Sequence, residues 1–396
     1  MSTRARVGPQ TGRQHAPLDV DALLDDRGTE IIVCCGSGGV GKTTTSAALA
    51  LRAAERGRKV VVLTIDPARR LAQSMGIEML DNTPRPVSDV DPAAGGSLDA
   101  MMLDMKRTFD EVVLSQATPE KAEQILANPF YIALSSSFAG TQEYMAMEKL
   151  GQIHADAQRT GTYDLVVVDT PPSRSALDFL DAPERLSSFL DGRFIRLMLA
   201  PARGPAKLMT AGFGIITNAL TKILGGQVLR DLQTFVAALD TVFGGFRVRA
   251  QKTYALLQAD GTAFLVVAAP EPDALREAAY FVERLAEDRM PLAGLVVNRA
   301  SPAPQGDLSG DEAMAAAARL RADDPTSLTA GLLRLHADRT RMVEREAGLR
   351  ARFAKAHPEV PTAVVPALAG DVHDLAGLRE VGGLLAGGVQ GSPVHR

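Results

Sequence analysis

Residues 31–44 read Ile31-Ile32-Val33-Cys34-Cys35-Gly36-Ser37-Gly38-Gly39-Val40-Gly41-Lys42-Thr43-Thr44. Five apolar residues run into a glycine-rich turn, and an Ala/Leu-rich stretch continues from Lys42 to Glu55 before Gly57 stops it. A strand, a loop and a helix in that order predict the start of an α/β unit. Gly36 to Thr43 also matches the pattern G-x-x-x-x-G-K-[ST], and the strand-to-helix context is what gives that pattern its physical meaning.

Working outward, further apolar runs occur at Lys59–Ile65, Leu165–Val168, Phe264–Ala268, Leu292–Val297 and Thr362–Val365. Continuous rather than alternating apolarity suits parallel strands covered on both faces. Helical patterns such as Arg276–Asp288 and Asp311–Arg319 separate them. The predicted fold class is therefore α/β, a doubly wound, mostly parallel sheet of the P-loop NTPase kind, with functional residues at the carboxyl ends of the strands. Two long helix-compatible stretches, about 99–160 and 181–258, exceed a simple crossover and read as insertions that form a helical subdomain. Residues 1–28 read as a mobile tail, in which Asp19–Asp26 can add a short helix. Residues 29–385 read as one P-loop ATPase domain and 386–396 as a frayed end, the Gly-rich run from Gly382 to Arg396 being the part expected to fray. Ser301–Gly310, rich in Pro, Gly and Ser, reads as a surface loop.

Composition narrows the function. Lys+Arg is 43 and Asp+Glu is 47, a net charge of −4, so no chain-wide basic footprint for nucleic acid exists. The two cysteines are adjacent, and neighbours on a strand point to opposite faces, so they cannot chelate one ion together. With no Cys-x-x-Cys and six scattered histidines, neither a zinc site nor a disulfide framework is expected. Without an apolar leader or a 20-residue apolar run, the chain reads as cytoplasmic.

Polyphosphate oxygens need many donors in a tight concave space. Gly38, Gly39 and Gly41 let backbone amides turn inward around a ligand, Val40 completes the loop, and the helix that follows offers its positive end. Lys42 supplies a mobile cation for the β- and γ-phosphates of ATP. The Thr43 hydroxyl is placed to ligate Mg²⁺, and Thr44 to contact the α-phosphate. Asp66 ends the second strand, where a carboxylate can orient a water against the γ-phosphate; an N-cap for a helix starting at Pro67 fits the same residues. Asp169 closes Val166-Val167-Val168, a pattern that holds Mg²⁺, usually through a water, although a strand-end cap has the same appearance. Asn298 follows Leu295-Val296-Val297 and reads either as an adenine-edge reader or as a turn residue.

With these motifs assembled, the chain resembles the arsenite-pump and tail-anchored-protein-targeting ATPases, a branch of the deviant-Walker, signal-recognition-particle-like P-loop proteins. The resemblance covers roughly residues 29–385 and rests on GSGGVGKTT, TIDPARRLAQSMG, VVVDTPPSRSALDFLDAP, FLVVAAPEPDALRE, GLVVNRA and VVPALAGDVHDLAGL, in that order. It implies a Mg²⁺-dependent ATPase dimer that closes on ATP and opens after hydrolysis. By position it implies that Asp66 activates the attacking water, that Asp169 serves the magnesium, that Asn298 reads adenine, and that Pro366, Ala367 and Leu368 flank the base.

The chain also departs from the family. Ser37 stands where the signature lysine reaches across the dimer, and serine is short and uncharged. The zinc clasp and the metalloid-binding cysteines are missing, which speaks against metalloid efflux. Arg174 and Ser175 replace glycine and histidine in the second switch. The resemblance is nearest to bacterial members found as paired, unlike subunits, one of which carries serine at the signature position. That implies a heterodimer with a lysine-bearing paralogue, a homodimer being the other possibility. The functional reading is an ATP-hydrolysing switch that controls a protein or membrane-protein partner; the alternative is a non-hydrolysing, ATP-binding regulatory subunit.

The stretch with Leu208, Met209, Phe213, Ile215, Ile216, Leu220, Ile223 and Leu224 presents a wide apolar helical face. It suits first the insertion's own core, and second a groove for an apolar client helix, where Met198 and Met209 would adapt to the guest.

Overall fold

The structure is a computed structural model that describes residues 16–65, 70–137, 141–171, 248–304 and 306–387. Asp66, the second-switch residues Arg174 and Ser175, and the apolar stretch around Leu208–Leu224 lie outside the described residues.

Eight strands form one sheet in the order β3-β4-β2-β5-β1-β6-β7-β8. They are β1 (Ile31–Cys35), β2 (Lys59–Thr64), β3 (Arg85–Pro86), β4 (Ser97–Met102), β5 (Leu165–Asp169), β6 (Thr262–Ala268), β7 (Leu292–Ala300) and β8 (Thr362–Pro366). Every pairing is parallel except that of β3, a two-residue edge strand antiparallel to β4. β1 is central, between β5 and β6. From β1 the chain winds outward to β2 and β4, returns to β5, then crosses to β6, β7 and β8. The order thus reverses beside β1, where a doubly wound sheet opens its crevice.

The all-apolar strands are buried on both faces, as their composition predicts. Ile31, Val33 and Cys35 face one core with Val61, Leu63, Val166 and Val168; Ile32 and Cys34 face the other with Val60, Val62 and Val167. The neighbouring cysteines therefore sit in separate cores, and burial pushes both thiols up to about 12. The second core is closed by α2 (Lys42–Glu55), whose run of alanines lets the helix lie close to the sheet. Helix Leu375–Leu385 packs on α2, with the small residue Gly382 next to Ala48 and Arg52.

Three expectations need correction. The first helical stretch does not begin near 99, because residues 97–102 form β4, paired along its length with β2. Leu, Ala and Met favour helix intrinsically, but burial beside β2 decides the matter, since strand preference depends on context. Beyond the short α3 (Arg70–Ser74), helices α4 (Met105–Gln116), α5 (Pro119–Leu126), α6 (Pro129–Ser137) and α7 (Thr141–Thr160) follow β4, and their Phe109, Tyr131, Tyr144 and Leu150 join the same core as the sheet. Glu148 of α7 accepts from Arg249 at 2.8 Å, which ties residues 248–257, a helix, to α7.

The second correction concerns the amino-terminal end. Residues 16–28 are part of the fold: Pro17 bridges Thr362, and α1 (Val20–Asp25) buries Val20 and Leu24. Arg58, 1% exposed, fastens this segment by donating to the carbonyls of Leu24, Asp26 and Thr29 and to the Asp164 carboxylate. Third, Gly382 does not begin a frayed end; it is buried within the last helix. Beyond Ser301–Ser309 a hairpin of helices Gly310–Asp323 and Leu328–Ala356 was only partly anticipated, the second helix being 29 residues long.

Candidate nucleotide site

The loop between β1 and α2 is shaped by glycines that cannot be replaced. Gly41 has φ +94°, and a Cβ there would sit 2.2 Å from the Asn298 amide nitrogen. Gly36 has φ +146°, and a Cβ there would lie 2.1 Å from the Val267 carbonyl oxygen of β6. The loop is thus pressed against the ends of β6 and β7, where side chains have no room. Gly41 is also the N-cap of α2 and brings no side-chain cap, so the first amides of the helix are left to another acceptor. A polyphosphate fits such a cradle: glycine-shaped, uncapped and at the positive end of a helix.

Lys42 is 6% exposed, and its Nζ donates to the carbonyls of Gly36 at 3.0 Å and Ser37 at 2.9 Å. The ammonium is folded into the loop that a polyphosphate would occupy. Behind it, Thr43 Oγ1 donates to Asp169 Oδ2 at 2.7 Å, so the first turn of α2 and the end of β5 meet through a hydroxyl and a carboxylate. Thr64 Oγ1, from the end of β2, donates to the same oxygen at 2.9 Å. Asp169 is fully buried. Hard oxygen donors of this kind suit Mg²⁺; Thr43 and Asp169 would hold it, the latter through a water, and when bound it neutralises charge building on the phosphates.

Asn298 lies inside β7 rather than after it, which removes the turn reading. It is 8% exposed, and its amide nitrogen donates to the Val40 carbonyl at 2.9 Å. The side chain therefore braces the phosphate loop from the neighbouring strand. An amide carries two N–H groups and a carbonyl oxygen, so one brace does not exhaust its capacity toward a base edge.

These parts open on one cleft of about 1130 Å³, lined by Gly39, Gly41, Lys42, Thr43 and Thr44 from the loop and by Asn298. Pro366, Ala367 and Leu368 line it too, and the Ala367 amide is anchored to the Ala300 carbonyl at 2.8 Å. The structure thus gathers residues that are more than 300 positions apart in sequence. Gly38 is exposed on the loop and Val40 is buried beneath it; neither lines the cleft.

Sequence reasoning missed several lining residues: Gln73, Ser74, Thr170, Arg299 and the loop Ala369–His373. Thr170 continues from Asp169 and ties its hydroxyl to the Cys34 carbonyl at 2.8 Å. Arg299 sits at φ +61° at a register shift between β7 and β8. Its neighbour Asn298 was the available signal; residues 369–373 lie within the VVPALAGDVHDLAGL stretch that carries the resemblance, but no residue among them was given a role.

Comparison with known proteins now bears on the site. The sequence profile of the anion-transporting ATPases, the ArsA ATPase family, matches residues 29–319. The chain belongs to the arsenite-pump and tail-anchored-protein-targeting ATPase family. Among its relatives, "ATPase GET3" of Podospora anserina is 26% identical over 282 residues, 71% of this chain and 76% of that protein. "ATPase GET3" of Malassezia globosa is 30% identical over 177 residues, 44% of this chain and 48% of that one. "ATPase ASNA1 homolog" of Cryptosporidium parvum is 26% identical over 265 residues, 67% of this chain and 63% of that one. The family and the fold agree with the sequence expectation, and the chain is an ATP-hydrolysing enzyme. No helix among the described residues is long and apolar enough to cross a membrane.

Proposed function

We propose that the chain is a Mg²⁺-dependent ATPase switch, cytoplasmic and dimeric, whose nucleotide state controls the shape of the dimer and hence a protein or membrane-protein partner. The observation that carries the ATP site is the convergence of the uncapped glycine cradle, Lys42 and Thr43, backed by the buried Asp169, on the cleft that Asn298 and Pro366–Leu368 also line. In this reading incoming phosphates take over Lys42 from the Gly36 and Ser37 carbonyls. The backbone amides at the start of α2 hold the transferred group, and Asp66 orients the attacking water. Thr43 and Asp169 serve the magnesium, while Asn298 and residues 366–368 take the base. An apolar client helix on the Leu208–Leu224 stretch is the second reading of that insertion, its own core being the first.

The partner subunit is argued from Ser37. Charge spreads over the transferred phosphoryl group, and a cation reaching in from across an interface raises turnover by about 10³ or more in related systems. Serine at position 37 supplies no cation, so a homodimer of this chain has none at either site. A lysine-bearing paralogue completes the site built on this chain. The test is steady-state ATPase activity for the chain alone, for the mixture with the paralogue, and for a mixture whose paralogue has its signature lysine changed to serine. Activity rising in the first mixture and falling back in the second supports the heterodimer. A lone chain as fast as the mixture overturns it.

A further inference from the structure

We propose that Thr64 is a positioning residue for the Asp169 carboxylate and thereby sets how tightly this site takes Mg²⁺. The inference rests on the Mg-nucleotide reading above and adds to it a residue outside the phosphate loop.

β2 and β5 are paired with Thr64 opposite Asp169. Both side chains are buried, Thr64 at 1% exposure and Asp169 at 0%. The Thr64 hydroxyl donates to Asp169 Oδ2 at 2.9 Å, the oxygen that Thr43 also reaches at 2.7 Å. A carboxylate removed from water needs such donors to offset its desolvation. Two donors converging on one oxygen also fix the rotation of the group, and so fix where its other oxygen points.

The two donors differ in how they are held. Thr43 is the residue that a cation would recruit as a ligand. Thr64 is held by the sheet: the Leu103 amide donates to its carbonyl at 2.9 Å, and the next amide, Ile65, donates to the Asp169 carbonyl at 3.0 Å. A β-branched side chain on a doubly paired strand has little rotamer freedom. The Thr64 hydroxyl is therefore the fixed reference for Asp169, whatever Thr43 does. Groups behind a metal's direct ligands typically change its affinity by about 10- to 100-fold when removed.

The variants are Thr64→Val, which keeps the shape and removes the donor, and Thr64→Ser, which keeps the donor. Binding of a fluorescent ATP analogue to the full chain is titrated with Mg²⁺ and, separately, measured in chelator. For Thr64→Val we expect the Mg²⁺ concentration giving half of the Mg²⁺-dependent effect to rise about tenfold. Affinity in chelator should stay within about twofold of wild type, and Thr64→Ser should restore the Mg²⁺ midpoint. If Thr64→Val does not melt cooperatively, Thr64→Ala carries the same comparison. An unchanged Mg²⁺ midpoint overturns the proposal, because the hydroxyl would then only fill space. Equal weakening with and without Mg²⁺ also overturns it, because the defect would lie in the loop. A wild-type chain whose analogue binding ignores Mg²⁺ overturns the Mg-nucleotide reading itself, before any Thr64 variant is compared.

Discussion

At the scale of single residues, the site depends on side chains whose alternatives are costly. Lys42 spends its ammonium on two loop carbonyls, and water cannot replace a cation in so enclosed a place. Lys42→Ala is expected to abolish binding of a fluorescent ATP analogue while leaving the thermal melt of the free protein close to wild type; unchanged affinity would remove the lysine from the site. Asp66 is a different kind of prediction, since it rests on sequence. Asp66→Asn should bind Mg-ATP normally yet hydrolyse it at least about a hundredfold more slowly, the scale for loss of a positioned base. Asparagine keeps an N-cap acceptor, so wild-type turnover in that variant would leave Asp66 only the capping role. Asn298 shows how the structure adds to a sequence reading. Its position after three apolar residues suggested a base reader or a turn; the folded strand excludes the turn and makes it a brace for the loop.

At the scale of elements, α1 shows electrostatics holding a short helix that propensity alone would not. Six residues are too few for an isolated helix. Its apolar side is buried, and its carboxylates pair with α2: Asp21 with Arg52 at 2.6 Å, and Asp25 with Arg56. Hydrogen bonding from Arg52 holds Asp21 below the ordinary 3.8, and Arg56 does the same for Asp25. A depressed carboxylate contributes stability that is fully present above its unfolded value and disappears as pH falls through the lowered folded value. Protection of the α1 amides, taken as exchange relative to an unstructured chain at the same pH, should therefore be level above about pH 4 and fall as the pH drops further. Asp21→Asn should flatten part of that dependence. Protection in wild type that is level down to pH 2 would show that the ion pairs do not hold the helix.

At the scale of the whole molecule, the parallel sheet brings four strand ends together. β1 supplies the loop, β2 supplies Thr64 and leads to Asp66, β5 supplies Asp169, and β7 supplies Asn298. Completion of the site from a second subunit is the remaining question, and Ser37 is where it can be tested. Ser37→Lys should raise the ATPase activity of the isolated chain if two copies can associate, and should add little when the lysine-bearing paralogue is present. Steady-state rates measured at several protein concentrations check this, because a gain that needs the partner must grow with concentration. A rate unaffected by the substitution in every mixture would make Ser37 a neutral position.

The sequence by itself determined the class of fold, the phosphate loop and the positions of six of the strands, because buried parallel strands must be apolar throughout and a phosphate cradle requires glycine at fixed spacing. It did not disclose β4, whose Leu, Ala and Met favour helix until β2 lies beside them. Nor did it disclose the seating of residues 16–28, which depends on Arg58 gathering the carbonyls of Leu24, Asp26 and Thr29. The meeting of Thr64 with Asp169, and of Asn298 with the loop, was decided only by the tertiary structure. Hydrogen bonds between residues 105 and 258 positions apart leave no local pattern, because strand register and strand order, not sequence spacing, bring their atoms within reach.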